Sequence, residues 1–198
     1  MTAKRIHPSA IISSDAEIAS DAEIGPYVII GDNCIVGGGC VISPRATLER
    51  NVTLGEGVKV GIGSILGGPP QHLKVAGEET TVELGDGTVI REYTTINRGT
   101  AQSFKTTVGS HCLVMSYVHL GHDCHIGNSV ILSNVVQLAG HVTIEDKAIV
   151  SGLCAVHQLV RTRTHTLNPR PTPVPTCASR PAPPSRASTS ACVPRPCT

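Results

Sequence analysis

Aliphatic residues recur at every sixth position along most of this chain. From Ile6 the series runs through Ile12, Ile18, Ile24, Ile30, Val36, Ile42, Leu48, Leu54, Val60 and Leu66. It resumes at Leu84, Ile90 and Ile96, and again from Val108 through Leu120, Ile126, Leu132 and Leu138 to Val156. A small residue often stands two places before each aliphatic, as at Ala10, Ala16, Ala22, Cys34, Cys40, Cys112, Val118 and Cys124. Residues two apart in a strand share a face, so each hexad buries one large and one small side chain. Glycine frequently follows the aliphatic position, as at Gly25, Gly31, Gly55 and Gly127, where it suits a corner. Neither a helix nor a flat strand keeps a period of six. Short strands joined by corners predict an all-β fold, a parallel β-helix in which three hexads close one triangular coil. Successive coils then stack at strand spacing, about 4.8 Å.

Two breaks in the period predict loops leaving the solenoid at about 67–82 and 98–107. Such excursions leave coil stacking intact and are common carriers of function. A third break does not resolve. After Val156 and Gln158 the next two hexad positions are Thr162 and Asn168, and from Arg161 onward the chain has no Gly, Asp, Glu or Ile while Pro and Arg abound. The expected organisation is a β-helix domain over 1–158 and a Pro/Arg-rich tail over 159–198 that lacks the apolar surface to order itself. So abrupt a change points to a reading-frame error or truncation, with a genuine basic tail as the alternative.

Composition adds four points. With no Trp, one Phe and three Tyr, the core must be filled by aliphatic and small side chains. The formal charge of +1 averages an acidic body and a basic tail: all fifteen acidic residues precede Val150, whereas six Arg follow Val160. No apolar run reaches membrane-spanning length and no signal-peptide core opens the chain, so a cytoplasmic protein is expected. Five of the eight cysteines (Cys34, Cys40, Cys112, Cys124 and Cys154) fall in the small inward slot, where a free thiol acts as a compact core group and neither ligates metal nor forms a disulfide.

The densest chemistry lies in YVHLGHDCHIGN, Tyr117 to Asn128. Coil arithmetic separates its histidines. His119 and His125 are six apart and belong on different walls, so one chain does not gather His119, His122 and His125 around a tetrahedral metal, and no resident metal is expected, a metal shared between subunits of a trimer being the alternative. Gly140 is eighteen residues beyond His122 and Gln158 a further eighteen, which stacks the three in one column, with His141 beside His122 and His157 beside Gln158. His122 is a candidate general base with Asp123 orienting its ring, and Gly140 can offer an unobstructed N–H to an oxyanion. Cys124 points into the core and supplies no nucleophile, so the chemistry would be direct acyl transfer without an acyl-enzyme. Solvated wall residues are the plain alternative for the same pattern.

Five segments, QHLKVAGEET, IREYTTINRGT, HLGHDCHIGN, LAGHVTI and AVHQ, resemble the hexapeptide-repeat acyltransferases, and among them the UDP-N-acetylglucosamine O-acyltransferases of lipid A synthesis, over residues 6 to 158. The resemblance implies a left-handed parallel β-helix and a homotrimer with sites between neighbouring subunits. It implies transfer of an (R)-3-hydroxyacyl group from acyl carrier protein to the 3-hydroxyl of UDP-N-acetylglucosamine. No cofactor is implied beyond the phosphopantetheine thioester of the donor, and no nucleic acid partner. It makes His122 the base, Asp123 its partner and Gly140 the oxyanion donor, and it places Gln71, His72, Lys74, His119, His141, His157 and Gln158 along the substrate site. His72 departs from the family, which has an acidic residue there. The family's further coils and C-terminal helical domain are also absent, which implies an impaired or inactive chain. A zinc hydratase resembling the gamma-type carbonic anhydrases and a non-enzymatic β-helix are the competing readings.

Overall fold

The computed structural model describes residues 5–162, and the expected disordered tail beyond Thr162 lies outside the described residues, with Cys177, Cys192 and Cys197. The described chain is a left-handed parallel β-helix with three walls of eight parallel strands each. The first wall runs from Arg5–Ile6 to Ile149–Val150, the second from Ile11–Ile12 to Ala155–Val156, and the third from Glu17–Ile18 to Arg161–Thr162. Most strands are only two residues long, one pointing out and one in. No helix among the described residues is long and apolar enough to cross a membrane.

The hexad pattern maps directly onto burial. The large inward residues, such as Ile30, Leu48, Leu66, Leu120 and Leu138, are at most 1 % exposed, and the small ones beside them are equally dry. The first coil differs: Ile6, Ala10, Ile12, Ala16 and Ile18 are only partly buried, because a terminal coil has a neighbour on one side alone.

Several small slots hold a hydroxyl or thiol that donates to a corner carbonyl of the adjoining coil. Thr88 Oγ1 reaches Gly109 O at 2.7 Å, Ser64 Oγ reaches Arg91 O at 2.7 Å, and Cys112 Sγ reaches Gly127 O at 3.0 Å. The core cysteines therefore act as weak donors as well as compact fillers. All five described cysteines are unpaired and buried. Burial pushes the Cys34, Cys40 and Cys112 thiols up, and Cys124 up to about 12, which keeps them protonated and inert.

Corners are made by residues in left-handed backbone conformation, among them Asn51 (φ 52°), Asp123 (φ 59°) and His141 (φ 60°). Even Val135 adopts φ 62°, a β-branched residue held there by its N–H, which donates to Ser116 O of the preceding coil at 3.0 Å. Coils approach each other so closely at these corners that Gly31 has no room for a side chain: a Cβ there would sit 1.7 Å from Glu49 O. Gly31→Ala is expected to cost about 3 kcal/mol or more. Because a solenoid opens locally, hydrogen exchange should show residues 5–30 losing protection while the coil around Leu120 keeps it.

Both loops are shorter than the period alone suggests. Strands extend to Ile65–Gly68 and Thr81–Leu84 around the first and to Thr95–Asn97 and Lys105–Val108 around the second, leaving 69–80 and 98–104 as the excursions. Backbone pairing such as Val82↔Thr106 does not require an aliphatic residue, so the ladder continues past the last apolar position. The same reasoning explains the C-terminal edge. Arg161–Thr162 pairs with Thr143–Ile144, four residues past the expected boundary, and Thr162 takes the aliphatic slot with its hydroxyl unpartnered among the described residues.

Candidate active site

Both loops leave the solenoid at one corner, between the second and third walls, in successive coils. The first joins Ile65–Gly68 to Thr81–Leu84 and the second joins Thr95–Asn97 to Lys105–Val108. In the next coil the same corner, between His119–Leu120 and His125–Ile126, holds His122 and Asp123. One coil further it holds Gly140 and His141. Register explains the alignment. Partners are 30 residues apart across the first loop (Leu66↔Ile96) and 24 across the second (Ile96↔Leu120), then return to eighteen at Leu120↔Leu138.

Asp123 is the centre of the arrangement. It is 1 % exposed, and its carboxylate accepts from Thr100 N at 2.8 Å, Thr100 Oγ1 at 2.7 Å, Ser103 Oγ, and His122 Nδ1 at 2.7 Å. Its own N–H donates to Thr106 Oγ1 at 2.9 Å. Burial by itself would raise the carboxyl pKa, but the donors from Ser103, Thr100 and His122 outweigh it and hold the group well below the usual carboxylate range. An ionised acceptor on Nδ1 places the His122 proton there and leaves the Nε2 lone pair free.

His122 is 6 % exposed and packed on three sides. His141 meets it edge-on with ring centroids 4.9 Å apart, His72 from the first loop does so at 5.3 Å, and His141 Nε2 lies 3.6 Å from Asp123 Oδ2. Gly140 forms the remaining side, where a Cβ would fall 2.5 Å from His122 Cε1 and 2.6 Å from Nε2. Burial lowers the His141 pKa; Asp123 opposes this, while His122, His72 and His125 add to it, so the ring beside His122 is neutral at pH 7. His122, Asp123 and His141 each offer a metal-ligating atom within 4.8 Å of the other two.

The structure thus brings His72, His122, Asp123, Gly140 and His141 together. It sets the other sequence candidates apart. His119 faces out from the second wall, hydrogen-bonded to Thr95 Oγ1 at 2.7 Å, with its pKa lowered by burial. His125 faces out from the third wall, hydrogen-bonded to Thr107 Oγ1 at 3.0 Å. Lys74 touches the cluster through its backbone alone, its N–H donating to His72 Nδ1 at 3.3 Å. Gln71 lines a cleft of about 220 Å³ with Glu49, Gly68, Thr95 and Asn97. His157 and Gln158 are exposed one coil beyond, where Leu159 N donates to Gly140 O at 3.2 Å.

Sequence reading missed Thr100, Ser103 and Thr106. Thr106 occupies a small slot two places before Val108 and was findable from the period; the two loop residues carry no periodic signal. Replacing Thr100 by Val keeps the volume and deletes one charge-assisted bond to a buried carboxylate. The expected loss is about 2 kcal/mol, read as a lower urea midpoint at pH 7.

The left-handed β-helix of hexads is the fold of the hexapeptide-repeat acyltransferases. No protein-family model matches the chain. Curated acyl-[acyl-carrier-protein]–UDP-N-acetylglucosamine O-acyltransferases of Burkholderia orbicola and Burkholderia mallei are 48 % and 50 % identical over 103 residues, 52 % of this chain and 39 % of each relative. The solved UDP-N-acetylglucosamine O-acyltransferase of Moraxella catarrhalis aligns at 41 % identity and TM-score 0.78, covering 79 % of this chain and 62 % of that one. The UDP-N-acetylglucosamine acyltransferase of Bacteroides fragilis aligns at 34 % identity and TM-score 0.71, covering 81 % and 68 %. The chain belongs to the UDP-N-acetylglucosamine O-acyltransferase family. Its match spans about two fifths of the length of those curated relatives.

Proposed function

We propose that this chain carries the catalytic corner of an O-acyltransferase that moves an (R)-3-hydroxyacyl group from acyl carrier protein to the 3-hydroxyl of UDP-N-acetylglucosamine. The observation that supports this most is the buried pair of His122 Nδ1 and Asp123 Oδ2 at 2.7 Å, with the Nε2 edge turned to Gly140. In this reading Nε2 takes the proton of the sugar hydroxyl as its oxygen attacks the thioester carbonyl. The bond to sulfur breaks as the ester bond forms, and the proton passes from the imidazolium to the departing phosphopantetheine thiolate. Asp123 holds the ring and offsets the transient positive charge. The Gly140 N–H, which has no acceptor among the described residues, faces the developing oxyanion. Cys124 is protonated and buried, so no acyl-enzyme forms.

Gln71, His72, Lys74, His119, His141, His157 and Gln158 are assigned to the two substrates along the same edge, and a neighbouring subunit of a homotrimer to its open side. Acyl transfer from 3-hydroxyacyl carrier protein to labelled UDP-N-acetylglucosamine tests the reading. It is assayed in this chain and in a chimera whose residues after 158 come from the Moraxella relative. Product from the chimera supports it, and a folded chimera that forms none overturns it.

A further inference from the structure

The corner contains more imidazole than base catalysis uses. His72, His122 and His141 converge from three separate segments of the chain, and the carboxylate of Asp123 lies between two of them, 2.7 Å from His122 Nδ1 and 3.6 Å from His141 Nε2. A tetrahedral zinc ion with bonds of about 2.0–2.1 Å needs ligand atoms about 3.3 Å apart. The donor atoms of the three residues lie within 4.8 Å of one another, with the His122–Asp123 pair at 2.7 Å and the His141–Asp123 pair at 3.6 Å on either side of that spacing. The set is two imidazoles and one carboxylate, with a third imidazole whose ring centroid lies 5.3 Å from that of His122. This is a donor set for zinc or its neighbours among first-row transition metals, and too rich in nitrogen for magnesium or calcium. Thr100 and Ser103 already orient the carboxylate from behind, as outer partners do in metal sites.

We propose that His122, Asp123 and His141, closed by His72, form an inhibitory binding site for a divalent transition-metal ion, zinc foremost. Catalysis and metal binding compete for one ring. With its proton on Nδ1, His122 presents a lone pair on Nε2. A metal on Nδ1 displaces that proton from the Asp123 bond, and the neutral ring then carries its proton on Nε2, where it cannot act as a base. Binding releases no group from the protein and oxidises nothing. The ion therefore switches off acceptor deprotonation without entering the chemistry. The binding stands apart from the acyl-transfer reading; only the inhibition rests on it.

The test is a zinc titration of the full chain without substrates, against a chromophoric chelator, with cobalt(II) as a spectroscopic stand-in. A site of nitrogen and oxygen ligands gives visible cobalt bands without the near-ultraviolet thiolate transition that the chain's cysteines would add. His141→Ala is expected to weaken zinc by about 100-fold or more, beyond the roughly 10- to 100-fold typical of losing an outer partner, and to abolish those bands. His125→Ala, on the third wall, should leave both unchanged. Far-UV circular dichroism confirms that each variant keeps its β-helix. If His141→Ala misfolds, His72→Ala on the exposed loop replaces it and is expected to weaken zinc at least tenfold. Equal affinity in the wild type and in the folded histidine variant, or cobalt bands dominated by thiolate, overturns the proposal. Zinc binding by the chimera with undiminished acyl transfer would overturn the inhibitory role, and with it His122 as the base.

Discussion

His122→Ala is expected to lower acyl transfer by about 10²- to 10⁴-fold, the range that a positioned general base supplies. The variant is measured at saturating UDP-N-acetylglucosamine in the chimera described above, so that the loss is read in kcat. The fold should survive, because His122 sits at a corner and the ladder bond that its backbone O accepts from His141 N, 2.9 Å long, does not involve the side chain. Asp123→Asn is expected to cost nearly as much, for a separable reason. An amide that donates to Nδ1 drives the His122 proton to Nε2 and removes the lone pair. The two losses should therefore not add in the double variant, as in other groups that work as a unit. Asp123 itself should contribute no limb to the pH–rate profile between pH 5 and 9. Its folded pKa lies below the unfolded value of about 3.9, so it stays ionised throughout, and the stability it contributes erodes only as pH falls below about 4. Transfer at wild-type rate by His122→Ala would leave Gly140 and the wall residues as mere scaffold.

The second large effect is expected from adding a single carbon. In Gly140→Ala the new Cβ would lie 2.5 Å from His122 Cε1 and 2.6 Å from Nε2, against backbone that cannot yield because coils pair on both sides of it. The ring is the movable partner. Any rotation that clears the methyl lengthens the 2.7 Å bond to Asp123 and turns Nε2 away from the acceptor hydroxyl. A displacement near 1 Å at a reacting group costs about 10²-fold, and kcat is expected to fall by at least that much. Stability should fall by only about 1–3 kcal/mol, the usual range for overpacking. An imidazole proton spectrum gives a readout that simple destabilisation would not move: the low-field Nδ1–H resonance bonded to Asp123 should shift or vanish. Wild-type kcat with that resonance unchanged would mean that the corner adjusts elsewhere.

Gly140 also shows how far a sequence can be read. Its stacking on His122 follows from counting, because after Val108 both loops are past and the offset between coils is a constant eighteen. Asp123 adjoins His122 in the chain, so their pairing was equally legible. The contacts of His72 were not. It lies fifty residues before His122, on a loop whose length is a whole number of hexads and whose path no periodicity constrains. Thr100 and Ser103 were hidden in the same way, although they supply three of the four donors to the carboxylate.

The sequence by itself determined the solenoid, its coil of eighteen, the residues that fill it and the column in which base and glycine meet. These depend on burial repeated at each hexad, and each repeat tests the same local rule. Tertiary structure alone decided which loop residues close around His122 and Asp123. Both loops emerge at one corner, one ending on the buried carboxylate and the other on the imidazole. Such contacts join polar groups once only, at distances set by the loop path, and a pattern that does not repeat leaves nothing to count.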